Sequence, residues 1–117
     1  MLHIHGLDDT IVPFGGSTLL GIPSAESSVM AWAERNNCDP NQYTRWSHAE
    51  DVNCSSWCDG IEVNVTLCSV ANSGHSWPSA PDPWCPEAGI TGLFACSHQL
   101  NATEEIWRFF SHFALPL

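Results

Sequence analysis

Asp8, Asp9 and His75 are the residues whose types and placement could do chemistry. Asp8 and Asp9 follow the glycine of Leu2-His3-Ile4-His5-Gly6, a short run that reads as the end of a strand. His75 follows Gly74, just past a second strand. If the two strands run parallel in one sheet, both loops open on the same edge, and the side chains can meet. The carboxylate would then accept from the histidine Nδ1–H, hold the tautomer and stabilise the imidazolium as it forms. The other ring nitrogen would act as general base toward a serine, then as acid toward the leaving group. Acid first and histidine second is the later part of a Ser…Asp…His order. Aspartates are also ordinary turn formers, and a histidine in a loop needs no role.

The elements that must position these groups are read from pattern. The acid loop, 6–16, turns at Gly6, leaves through Val12-Pro13, where proline imposes an extended exit, and is released at Gly15-Gly16. A helix is predicted over 24–36, with Ser24 as N-cap, Glu26 in the first turn, and Val29, Met30, Trp32 and Ala33 as an apolar stripe. Residues 38–60 are polar, contain Pro40 and show no strong period, which predicts a loop with at most a short strand around Tyr43 to Trp46. Over 61–70 the chain alternates, with Ile61, Val63, Val65 and Leu67 on one side and Glu62, Asn64 and Thr66 on the other. That predicts a strand with one buried face. A histidine loop, 72–78, follows. Residues 79–100 form an irregular segment rich in proline, glycine and cysteine. A C-terminal helix over 101–114 opens with Asn101 and Glu104 in capping-box spacing and carries Ile106, Trp107, Phe109, Phe110 and Phe113; Pro116 marks its end. The order strand, helix, strand, helix predicts an α/β fold: two β/α units of a parallel sheet with helices on its faces, in one partial domain over 1–117.

Composition excludes several functions. The net charge is −10 and the only strong cations are Arg35, Arg45 and Arg108, so there is no basic patch for nucleic acid or an anionic membrane. No apolar run approaches the roughly 20 residues that span a bilayer. Six cysteines in 117 residues point to an oxidising compartment. So do the sequons at Asn53, Asn64 and Asn101, possible glycosylation sites. Fifteen pairings of six cysteines are possible. The favoured set is Cys38–Cys58, linking the first helix to the second strand, Cys85–Cys96, closing the irregular segment, and the remainder, Cys54–Cys68.

HGLDDTIVPFGG, the following WAERNNC, EVNVTL running into SGHSWP, and the closing EEIWRFF together resemble the C-terminal half of the secreted polyhydroxybutyrate depolymerase and feruloyl esterase family of α/β-hydrolases. The resemblance is weakest over 40–57 and 79–100. It implies an α/β-hydrolase fold that cleaves carboxylic esters through a serine nucleophile without a cofactor. Asp9 falls at the family's acid position and His75 at its histidine, with Asp8 beside the acid. Trp77 is a candidate for the substrate pocket beside the histidine. The substrate would be a polyester or a phenolic or acyl polysaccharide ester, and the resemblance does not choose between them.

The chain departs from that pattern in having no G-x-S-x-G; Gly15-Gly16-Ser17-Thr18-Leu19 lacks the closing glycine and follows the acid. It also opens directly on a strand with no charged leader or apolar signal segment. Both features predict a fragment whose nucleophile and N-terminal half lie upstream. Such a fragment is expected to be inactive alone and, with an open sheet edge, to aggregate. Two other readings compete. One is a non-catalytic, disulfide-stapled secreted binding module, for which Trp46, Trp57 and Trp84 could form an aromatic surface. The other is a metal site drawn from His3, His5, Asp8, Asp9, His48, His98 and His112. It is disfavoured because His3 and His5 lack a third clustered histidine, and no metal ligand is assigned.

Overall fold

A computed structural model describes residues 1–60, 62–86 and 92–114. Ile61 of the expected strand, residues 87–91 of the irregular segment and Pro116 at the expected helix end lie outside the described residues. The described elements are β1 (Leu2–Gly6), α1 (Ala25–Arg35), β2 (Tyr43–Ala49), β3 (Val52–Trp57), β4 (Val65–Val70) and α2 (Ala102–Ser111).

The four strands form one sheet in the order β1-β4-β3-β2. Only β1 and β4 are parallel; β3 is antiparallel to both β4 and β2. The expectation of a parallel α/β-hydrolase portion is therefore overturned, and the sheet is mixed. The cause lies in 43–57, expected to be mostly loop. Residues 43–57 fold back through Glu50-Asp51 as a β-hairpin whose second strand covers the free side of β4. The hairpin escapes the pattern because, between the buried Val52 and Trp57, its inward positions are Cys54 and Ser56, which do not read as an apolar run. Cys54 pairs across the ladder with Cys68, and the buried Ser56 hydroxyl bonds that of Thr66. Strand β2 is exposed along most of its length, so it shows no inward period.

The second expected strand also differs. Strand β4 begins at Val65 and is buried on both faces, not one. Val65 and Leu67 pack with Val29 and Ala33 of α1, whereas Cys68 and Val70 pack with Val52, Leu100 and Ala102 on the opposite side. Fully burying a valine is worth about 1.5–3 kcal/mol, so Val29, Val52, Val65 and Val70 anchor both layers. A central strand flanked on each edge and covered on each face needs this continuous apolar run.

Both helices are capped by side chains. The Ser27 N–H donates to Ser24 Oγ at 3.0 Å, and the Glu104 N–H donates to Asn101 Oδ1 at 3.2 Å. Helix α1 buries Ala25, Val29 and Ala33. Helix α2 buries only Ala102 and leaves Trp107 and Phe110 largely exposed. No helix among the described residues is long and apolar enough to cross a membrane.

Candidate acid–histidine site

Strands β1 and β4 pair with Gly6 beside Val70, so the chain leaves both at the same end of the sheet. The Leu7 N–H donates to the Val70 carbonyl and the Asp8 N–H to the Ser73 carbonyl, which zips the two exit loops together. Gly6 permits this crossing: a Cβ there would lie 2.2 Å from the Ser73 carbonyl oxygen.

The crossing brings Asp9 to His75. The His75 Nδ1–H donates to Asp9 Oδ2 at 2.9 Å. The other carboxylate oxygen accepts the Ile11 and Val12 N–H groups at 2.9 and 2.8 Å, a local turn that aims the side chain. Asp9 is only 8% exposed at the side chain, whereas His75 is 45% exposed. Asp8 is exposed and contributes its backbone N–H to the crossing. Burial, the largest influence on the Asp9 carboxyl, pushes its pKa up. The Val12 N–H, the His75 hydrogen bond and the Ile11 N–H together outweigh burial and hold it below the ordinary value. Asp9 is therefore an ionised acceptor at neutral pH, and it selects the His75 tautomer protonated at Nδ1. That leaves the lone pair on Nε2, and His75 lines a cleft of about 450 Å³ together with Ile4, Val12, Ser76 and Trp77.

The histidine loop is held from behind by the irregular segment, a role that composition does not disclose. The Gly74 N–H donates to the Ala95 carbonyl at 2.7 Å and the His75 N–H to the Leu93 carbonyl at 2.8 Å. The Ser76 hydroxyl donates to the Ala95 carbonyl. A Cβ on Gly74 would lie 2.3 Å from the Leu93 oxygen. Cys85–Cys96 closes this segment; the other disulfides are Cys38–Cys58 and Cys54–Cys68, the latter bridging the two adjacent strands β3 and β4. Three disulfides in so small a chain fit an extracellular, oxidising setting.

The remaining candidates are dispersed. Trp77 stands at the cleft, half-exposed, with its indole N–H donating to Thr103 Oγ1 at 3.1 Å. Trp46 and Trp57 lie on strands rather than in loops. Trp57 is buried against α1, with its indole N–H on the Pro40 carbonyl. Trp46 lines a separate cavity of about 640 Å³ on the α2 side, and Trp84 is exposed elsewhere. The three do not form one aromatic surface. Among the described residues no three His, Cys, Asp or Glu side chains converge to hold a metal ion. His48 instead lies 3.7 Å from Glu105, His98 lies against Cys85, and His112 bonds the Arg108 carbonyl. Asn53 is exposed on β3; the Asn64 side chain bonds Asp59 and Thr66, and Asn101 caps α2.

No hydroxyl among the described residues is hydrogen-bonded to His75 Nε2. Ser17, from the Gly-Gly-Ser-Thr-Leu run, accepts the Leu20 N–H in its own turn, and Ser76 is turned to Ala95. The arrangement can orient an imidazole and deprotonate a hydroxyl brought into the cleft. Compared with family models, curated proteins and solved structures, the chain matches none.

Proposed function

We propose that this chain contributes the acid and the general base of a secreted serine ester hydrolase, with the nucleophile supplied by polypeptide outside this sequence. The observation that carries the reading is the 2.9 Å bond from His75 Nδ1 to the buried Asp9 carboxylate, with the exposed His75 lining an open cleft. Asp9 orients the ring; Nε2 takes the proton of an attacking hydroxyl and returns it to the departing alcohol. The HGLDD and SGHSWP motifs support a carboxylic ester as substrate, of polyester or phenolic-polysaccharide type. Trp77, at the cleft, would then lie against the acyl group.

The test is to extend the coding sequence upstream of Met1 and assay p-nitrophenyl butyrate hydrolysis by the extended and the 117-residue forms. The short form should give no turnover, and the extended form should carry a G-x-S-x-G serine and an activity abolished by His75→Ala. An extension without such a serine, or activity indifferent to His75→Ala, overturns the reading.

A second reading, a non-catalytic binding module, draws on one observation. The larger cavity, about 640 Å³, lies between the sheet and α2 and shares no lining residue with the His75 cleft. It is favoured if the extended coding sequence carries no such serine and the chain binds a saccharide or ester ligand without turning it over.

A further inference from the structure

The geometry points to His5 as a positioning residue for the Asp9 carboxylate, with its own tautomer set by His3. This rests on the Asp9–His75 reading and deepens it.

His3 and His5 lie on the same face of β1, two residues apart, with their rings stacked at 5.3 Å between centroids. His5 Nε2 lies 2.8 Å from the Val12 carbonyl oxygen. A carbonyl can only accept, so Nε2 carries the proton. In the neutral ring Nδ1 is then an acceptor, and His3 Nε2, 3.0 Å away, must donate to it. The edge of the Phe14 ring closes a third side of His5 at 5.6 Å. His5 is thus locked in position and in tautomer.

What it holds is the backbone of the acid turn. Val12 gives its N–H to Asp9 Oδ1 while its carbonyl takes the His5 proton, so one peptide residue links the imidazole to the carboxylate. His5 Nε2 also lies 3.7 Å from Asp9 Oδ2, the oxygen that faces His75. The two histidines do not touch the cleft's basic nitrogen. Their role is to keep Val12 and Ile11 at the distance that directs Asp9 Oδ2 to His75 and nowhere else.

The experiment reads the tautomer ratio of the His75 ring from its ¹⁵N shifts, on the alkaline plateau where those shifts no longer change with pH. In the native chain the Nδ1–H form should dominate. His5→Leu, which removes the donor to Val12, should cut the ratio of Nδ1–H to Nε2–H by about fivefold, the effect of one net hydrogen bond. His5→Gln, whose amide N–H sits as many bonds from the backbone as Nε2, should restore it. His3→Phe should have the same sign as His5→Leu with a smaller size. An unchanged ratio in His5→Leu overturns the positioning role. If His5→Leu does not fold, His5→Asn, whose donor falls one bond short, must differ from His5→Gln, and equality of the two overturns it. Asp9→Asn separates the two readings: if it leaves the His75 ratio unchanged, the acid–histidine pair itself is refuted, whatever His5 does.

Discussion

Gly6 and Ser73 approach so closely that a methyl group on Gly6 would lie 2.2 Å from the Ser73 carbonyl oxygen. This contact, and not any side chain, sets the spacing of the acid and histidine loops. Gly6→Ala should therefore destabilise the chain by about 2 kcal/mol or more, since backbone on both sides must shift. Gly15→Ala, where nothing lies within 4 Å, should change stability by less than about 0.5 kcal/mol. Urea titrations of the two variants decide it; equal effects would mean that the loops can separate freely.

Acid should unfold the chain through two groups with the same sign. The Asp9 pKa is lowered in the fold, so the unfolded state binds its proton more readily. Its stabilisation is present above the unfolded carboxyl value and is lost as pH falls through the folded one. His3 is also lowered, first by burial and then by the neighbouring His5. A histidine kept neutral in the fold loses stability as pH drops below its ordinary value of 6.5, where the unfolded ring charges. Stability should fall from about pH 6.5 downward in two stages. His3→Phe should flatten the upper stage and Asp9→Asn the lower, as read by urea midpoints across pH.

Removing the Cys85–Cys96 bridge should loosen the histidine. Opening a loop of sequence separation 11 should cost about 3 kcal/mol by the chain-entropy estimate. The local effect is the more specific one. Backbone hydrogen exchange at Gly74 and His75, whose N–H groups bond Ala95 and Leu93, should accelerate more than at Val65 to Val70. Uniform acceleration would show that the segment does not act as a separate brace.

The two helices should respond unequally to truncation. Val29→Ala on α1 removes a fully buried side chain and should cost about 2 kcal/mol. Trp107→Ala on α2, 77% exposed, should change stability by less than about 0.5 kcal/mol. Thermal melts of the pair would reveal a tighter docking of α2 if the tryptophan proved the more costly.

Local chemistry was readable without coordinates wherever near neighbours decide the outcome. Ser24 and Asn101 cap their helices because a side-chain oxygen three residues before a free N–H has few better partners. Val29 and Ala33 face inward because helical spacing leaves them together. The pairing of a carboxylate after one strand with a histidine after another was legible as an expectation, since residue type and loop position travel with the sequence. The sheet around them was not. Strand β2 is exposed along most of its length and β3 turns Cys54 and Ser56 inward between Val52 and Trp57, so the hairpin that makes the sheet mixed carried too weak an apolar period to read. The brace behind His75 was equally hidden, because backbone carbonyls at Leu93 and Ala95 do that work and any residue supplies one. Side-chain pattern thus determined caps, helix faces and candidate chemistry, while backbone approach, which has no residue code beyond a glycine, left strand order and the aim of Asp9 to the tertiary structure.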